Sequence, residues 1–288
     1  MYKRQVQGLG VDALGVNCSL GPKELIPIVE EISKWTTVPI VVKANAGLPD
    51  PVTNTYNVLP DEFADTCKEM VKYGAKVLGG CCGTTPAYVA KLKEMVATVN
   101  ASVVKKKPRQ LAVCTPLKTV VVDQPRIVGE RINPTGKKRF KQALRDNDMN
   151  YILSQAIEQI DAGADILDVN VGSPDIDEKE MMVKVIKALQ AIVDVPLQID
   201  STKPEVLEAA LRVYNGKPIV NSVNGEEEVL DTILPIVAKY GGAVIGLALD
   251  ENGIPPTAEG RVEIAKRIRD KAMSYGIPKE DIIIDCLT

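Results

Sequence analysis

The stretch Leu78-Gly79-Gly80-Cys81-Cys82-Gly83-Thr84-Thr85-Pro86 decides how the rest of the chain is read. The apolar run Ala75 to Leu78 predicts a short buried strand. Gly-Thr-Thr-Pro predicts a helix start, with Thr85 as N-cap and Pro86 at the first helical position, where a missing N–H costs nothing. The Cys pair therefore falls at the C-terminal lip of a strand, in a glycine-lined turn where backbone and ligand can approach closely. Barrels of alternating strands and helices place their chemistry at that lip.

Two adjacent cysteines do not make a disulfide framework, but they can give two thiolates to one soft metal. A third sulfur follows another apolar run, in Gly15-Val16-Asn17-Cys18. Three thiolates and one open position is the ligand count of a catalytic zinc site. The alternative is three unrelated core cysteines, since free Cys often packs as a small hydrophobe. Packing gives no reason for a Cys-Cys pair set between Gly-Gly and Gly, so Cys18, Cys81 and Cys82 are read as metal ligands.

The chain has 288 residues and a net charge of −3, with 45% hydrophobic but only 4% aromatic residues. That length suits one large barrel or two ordinary domains with aliphatic cores. No apolar run has membrane-spanning length, and the mild acidity argues against nucleic acid. Six cysteines without a secretory pattern at the N-terminus favour reduced thiols and a cytoplasmic setting. There is no histidine, which excludes His-based triads and His-ligated metals. Acid–base roles then fall to Asp and Glu, and soft-metal binding to Cys.

Outward from the Cys pair, strands alternate with amphipathic helices, the pattern of a parallel sheet. Strands are expected at Val11–Val16, Pro39–Lys43 and Ala75–Leu78, with helices at Gly21–Lys34, Asp61–Tyr73 and Ala87–Val99. That is about three of the eight units of a closed (β/α)8 barrel. Residues 1–104 are accordingly expected to be the C-terminal part of a barrel whose earlier strands are absent. Residues 105–124, opening with Lys105-Lys106-Lys107-Pro108-Arg109, read as a linker, with Cys114 unassigned.

Residues 125–288 carry a second series of six strands, and are expected to be a barrel cut short at its C-terminus. Glu130, Asn133, Asp168, Asn170, Asp200, Asn221, Asp250 and Asp285 fall at or just beyond strand ends. Together they would ring one mouth with carboxylates and amides. Such a ring suits a neutral heterocycle rich in N–H donors, because a carboxylate accepts two parallel bonds from an amino-pyrimidinone edge and Asn offers both donor and acceptor. A hard cation such as Mg²⁺ is the alternative.

Two sets of motifs carry a family resemblance. Gly15 to Cys18 with Gly79 to Thr84 resembles the homocysteine S-methyltransferase family. Gly129 to Asn133, Leu167 to Asn170, Ile199 to Thr202 and Val220 to Asn224 resemble the pterin-binding methyltransferase family. Their tandem order is similar to that of the cobalamin-dependent methionine synthase family. The resemblance implies two (β/α)8 TIM-type barrels, both incomplete here. It implies zinc on Cys18, Cys81 and Cys82 with homocysteine as substrate. It also implies 5-methyltetrahydrofolate on the second barrel, with Asp200, Asn221 and Asp285 as the functional pterin contacts and Glu130, Asn133, Asp168 and Asn170 lining the same mouth. Cobalamin would come from a module outside this chain, in cis or in trans. Competing expectations are a cobalamin-independent homocysteine methyltransferase, a dihydropteroate-synthase-like pterin enzyme, and a non-catalytic zinc- or folate-binding fragment. Cys286 stands where many family members have Pro, which weakens the Asp285 assignment.

Overall fold

The computed structural model describes Val6 and residues 11–36, 38–99 and 110–287; residues 11–99 fall in one compact unit and residues 110–287, with Val6, in the other. The basic segment 105–109 lies outside the described residues.

The first unit runs β1 (Leu14–Asn17), α1 (Pro22–Trp35), β2 (Ile40–Ala44), α2 (Pro60–Lys72), β3 (Ala75–Gly80) and α3 (Pro86–Ala97). The strands are parallel in the order β1-β2-β3. Each helix begins with Pro, whose fixed φ and missing N–H suit the first turn. Thr85 caps α3 by its extended backbone and makes no side-chain capping bond. The core is read directly from periodicity. Leu25, Val29 and Ile32 of α1 and Phe63, Cys67 and Met70 of α2 recur at helical spacing against Ile40, Val42 and Ala44, which alternate along β2. β3 corrects one expectation: it is an edge strand of this sheet, with Ala75 buried and Val77 about half exposed.

The second unit opens with an antiparallel hairpin, β4 (Ala112–Cys114) and β5 (Thr119–Val121), where a linker was expected. Its turn is closed by Thr115, whose hydroxyl accepts from the N–H groups of Leu117 and Lys118. Strands of three residues are too short to show a period-2 signal, so the sequence pattern conceals them. Six parallel strands follow: β6 (Val128–Ile132), β7 (Ile166–Val169), β8 (Leu197–Asp200), β9 (Ile219–Val223), β10 (Ala243–Leu247) and β11 (Ile282–Asp285). They pair strictly in sequence order, the winding of a β/α barrel wall. The helices between them are α4 (Lys138–Asp146), α5 (Met149–Asp161), α6 (Glu178–Ile192), α7 (Pro204–Val213), α8 (Glu227–Tyr240) and α9 (Ala258–Ser274). Helix α4 is an addition to the strand–helix alternation, and its apolar face is just Phe140, Ala143 and Leu144.

Alternation along the strands sorts the residues into two faces. Leu167, Val169, Leu197, Ile199, Val220 and Val244 pack with the helices in one large core. The other face carries Ile166, Ile219, Ala243 and Ile245 near the strand starts, where Val113 and Val120 of the hairpin pack against them. The hairpin is held there by paired backbone bonds between Cys114 and Lys217, and by Tyr214, whose hydroxyl donates to the Cys114 carbonyl. Lys217, at the foot of β9, makes a 2.7 Å ion pair with Asp281, and their side chains are 0% and 2% exposed. The hairpin floor thus lies at the strand starts, and the polar residues of that face gather at the other end.

Candidate functional sites

In the first unit, Cys18 directly follows β1 and the Cys81–Cys82 pair directly follows β3, on either side of β2. Backbone bonds fix all three to β2 and its loop: Cys18 N–H donates to the Lys43 carbonyl, Cys81 N–H to the Ala44 carbonyl, and Ala46 N–H to the Cys82 carbonyl. The Cys18 and Cys82 sulfurs are 3.4 Å apart, those of Cys81 and Cys82 4.0 Å, and all three lie within 4.8 Å of one another. Three thiolates at about 2.3 Å from a tetrahedral zinc would stand about 3.8 Å apart, so the donor set fits that ion. The Ser19 backbone N–H, then the neighbouring thiols, hold the Cys18 thiol below its ordinary value, while its bonds to Cys18 and Cys81 raise that of Cys82. Cys67 stands apart, buried in the core, with its thiol pushed up to about 12 by burial.

Two residues of this site escape sequence reasoning. Asn45, buried after β2, accepts the Cys82 N–H with its side-chain oxygen at 3.1 Å and also hydrogen-bonds Cys18. Tyr56 hydrogen-bonds Cys82, and its phenol is raised first by burial and then by the neighbouring cysteines. Its ring occupies the space beside Gly83, where φ is +76° and an added Cβ would stand 2.2 Å from the ring. The glycine after the Cys pair therefore makes room for Tyr56 as well as for the turn.

In the second unit, the polar end of the inner face assembles four of the expected residues. Asp168 is 3% exposed and accepts from Gln198 Nε2 at 2.5 Å and from Asn221 Nδ2 at 3.4 Å. Asn170 Nδ2 donates to Asp200 at 2.9 Å. Burial, then the charge of Asp200, raises the Asp168 carboxyl to about 7, and burial also raises Asp200. The half-buried Asp200 carboxyl on the adjacent strand thus disfavours ionisation of the buried Asp168. Gln198 is the residue that sequence reasoning missed. It lies two positions before Asp200, on the same face of β8, so alternation along Leu197-Gln198-Ile199-Asp200 would have found it.

The remaining expected residues stand around this cluster. Glu130 is exposed and ion-paired with Lys137 at 3.0 Å. Asn133 is buried and accepts the Thr135 N–H, ordering the loop into α4. Asp285 ends β11, exposed, and accepts from Leu287 N–H. Asp250 is engaged in its own turn with Asn252 and in a 3.3 Å pair with Arg267. Glu178 flanks Asp200, accepting from the Ser201 hydroxyl and pairing with Lys203.

Comparison with known proteins matches both halves. The family described as "Pterin binding enzyme" matches residues 129–288, and "Homocysteine S-methyltransferase" matches residues 2–96. Methionine synthases of Mycobacterium leprae and Mycobacterium tuberculosis are each 34% identical over 98% of this chain. The chain spans about a quarter, 25%, of the length of those relatives. Among solved structures, dihydropteroate synthase from Vibrio fischeri is similar with a TM-score of 0.45 at 19% identity, over 61% of this chain and 66% of that one. Yersinia pestis dihydropteroate synthase with a sulfonamide drug is similar with a TM-score of 0.47 at 18% identity, over 61% and 67%. Residues 2–96 are similar to the homocysteine S-methyltransferase family, and the chain belongs to the pterin-binding enzyme family, whose match covers more than half of it.

Proposed function

We propose that this chain is part of a methyltransferase that moves a methyl group from 5-methyltetrahydrofolate to homocysteine, giving methionine and tetrahydrofolate. The observation that carries the reading is the convergence of Cys18, Cys81 and Cys82 at the C-terminal ends of two strands in one unit, in a chain whose other unit gathers carboxylates and amides at the same ends of its strands. The similarity to methionine synthases over nearly the whole chain supports it. Both sheets are inferred to be parts of (β/α)8 barrels.

Cys18, Cys81 and Cys82 would hold zinc, which when bound would deprotonate the homocysteine thiol and keep it nucleophilic. Asn45 and Tyr56 would keep the cysteine turn in place through their bonds to Cys82 and Cys18. In the second unit, Asp200 and Asn221 would engage the amino-pyrimidinone edge of the pterin, with Asp285 meeting it from β11. Asn170 would orient Asp200 through its 2.9 Å bond. A tertiary amine is a poor leaving group, so N5 must gain a proton or hydrogen bond as the methyl departs. Asp168, holding a proton up to about pH 7, would be part of the network that supplies it. This chain has no histidine to offer a cobalt ion, so any cobalamin that supplied methyl-carrier chemistry would be held by other residues, in cis or in trans.

The test is zinc per chain in protein purified under reducing conditions, with Cys81→Ala alongside, and 5-methyltetrahydrofolate binding to the parent and to Asp200→Asn. About one zinc in the parent and little in Cys81→Ala, with folate binding lost in Asp200→Asn, is expected. Equal zinc in both proteins would refute the three-thiolate site, and unchanged folate binding would refute the pterin assignment.

A further inference from the structure

We infer that Gln198 is a positioning residue of the second unit's site: its amide holds one oxygen of the Asp168 carboxyl and leaves the other to face the ligand as a hydrogen-bond donor. This rests on the reading of that site as a folate site.

The register of the sheet makes the pair. Asp168 of β7 stands directly across from Gln198 of β8, on the inner face that both share. Gln198 Nε2 donates to Asp168 Oδ1 at 2.5 Å, and Asn221 Nδ2 reaches the same oxygen from β9 at 3.4 Å. Two residues nearer the mouth the amide and the acid change places: Asn170 Nδ2, just past β7, donates to Asp200 of β8 at 2.9 Å. The two rungs differ in depth. Asp168 and Gln198 are 3% and 7% exposed, whereas Asn170 and Asp200 are half-buried.

An oxygen that accepts two N–H bonds is the acceptor side of a carboxyl, so the proton of Asp168 belongs on Oδ2. Among the described residues no hydrogen bond engages Oδ2, and it is not one of the sealed polar atoms of the core, so it is the oxygen that a ligand can reach. A pterin presents lone pairs as well as N–H groups, and a protonated Asp168 beside an ionised Asp200 would meet both. The charges that face Asp168 are Asp200 on β8 and Glu130 at the end of β6, and both favour its protonated form. Glu130 is paired with Lys137, while Glu178 faces Asp200 and is paired with Lys203. β9 brings only the amide of Asn221, and the helices pack on the opposite face of the sheet. Against these, the Gln198 N–H is the stronger of the two bonds that favour the carboxylate. Gln198 therefore decides both which oxygen carries the proton and the pH above which Asp168 ceases to donate.

The experiment uses Gln198→Met, which removes the donor and keeps the length of the side chain. The first measurement is an NMR titration of the Asp168 carboxyl carbon in the whole chain with labelled aspartate, assigned by Asp168→Asn. The second is calorimetric binding of 5-methyltetrahydrofolate across the same pH range. Loss of one hydrogen bond to a charged group should raise the Asp168 midpoint by about one to two pH units. The pH above which folate affinity falls should rise with it. Should Gln198→Met lack a native circular dichroism spectrum, Gln198→Asn, whose shorter amide falls short of Oδ1, repeats the test with the same expectation. An unmoved Asp168 midpoint in a natively folded variant overturns the inference and leaves the folate site standing. So does a moved midpoint with an unmoved fall in affinity, or a loss of affinity that is equal at every pH, as a purely structural role would give. A parent that binds no 5-methyltetrahydrofolate at any pH overturns the folate reading, and the inference with it.

Discussion

Replacing Asp281 by Asn should be among the most destabilising single changes available in the second unit, although it touches neither candidate site. The change keeps the shape and removes only the charge that faces Lys217 at 2.7 Å, in surroundings where the two side chains are 0% and 2% exposed. Taking one partner from a buried ion pair costs about 3–5 kcal/mol, because the other charge must stay desolvated without its carboxylate or give up its proton. For a unit of this size each kcal/mol lowers the melting temperature by about 2–4 °C, so a loss of roughly 6–20 °C is expected. Lys217→Met should cost a similar amount. The double variant Lys217→Met/Asp281→Leu should recover most of it, since a buried pair exchanged for apolar side chains is often neutral. Thermal unfolding of the four proteins followed by circular dichroism reads these losses and the recovery. A melting temperature of Asp281→Asn within 2 °C of the parent, or a double variant worse than either single one, would refute the reasoning.

Three further outcomes are expected. The Asp168 carboxyl, near 7 in the folded chain and about 3.9 when unfolded, keeps its proton longer in the folded state. Its stabilising contribution is therefore complete below pH 4 and lost as pH rises through 7, an upper bound of about 4 kcal/mol. Denaturant titrations of Asp168→Asn should show a flatter profile and a more stable protein at pH 8; a profile parallel to that of the parent would contradict the assignment. Cys67, with its thiol near 12, should resist alkylation in the native protein while Cys18, Cys81 and Cys82 react. Mass spectrometry after brief iodoacetamide treatment reads this, and early labelling of Cys67 would count against the buried site. Gly216→Ala should loosen the hairpin, because an added Cβ would stand 2.0 Å from the Cys114 carbonyl oxygen. A loss of about 1–3 kcal/mol is expected from such overpacking, with faster amide exchange at Val113 and Cys114; unchanged exchange would show that the backbone accommodates the methyl group.

Much of this fold is legible in the sequence because each element announces itself by period. The 3.6-residue spacing of Leu25, Val29 and Ile32 and the alternation of Ile40, Val42 and Ala44 leave little choice of structure. The Cys site is equally legible, since strand ends in a parallel sheet all point to one side and so bring Cys18 to Cys82, 64 positions away. Partners that belong to a site through space alone are not legible. Asn45 and Tyr56 reach the sulfurs from loops, and nothing in Asn45-Ala46-Gly47 or Asn54-Thr55-Tyr56 marks them by spacing. Lys217 and Asp281 read as ordinary charged residues at loop ends, and only the fold buries them against each other. The hairpin fails for a different reason: three-residue strands give alternation nothing to repeat.

That hairpin also determines where the second unit can be separated from the first. A boundary placed by pattern alone would fall at Pro125, just ahead of the first sheet strand. Val113 and Val120 cover the feet of β7, β9, β10 and β11, and Cys114 closes a backbone bridge with Lys217. A piece begun at Pro125 would leave Ile166, Ile219 and Ala243 facing water and the Lys217–Asp281 pair without its roof. A piece begun at Gln110 would retain both, so the few residues that look like a tether are the lid on the underside of the unit they introduce.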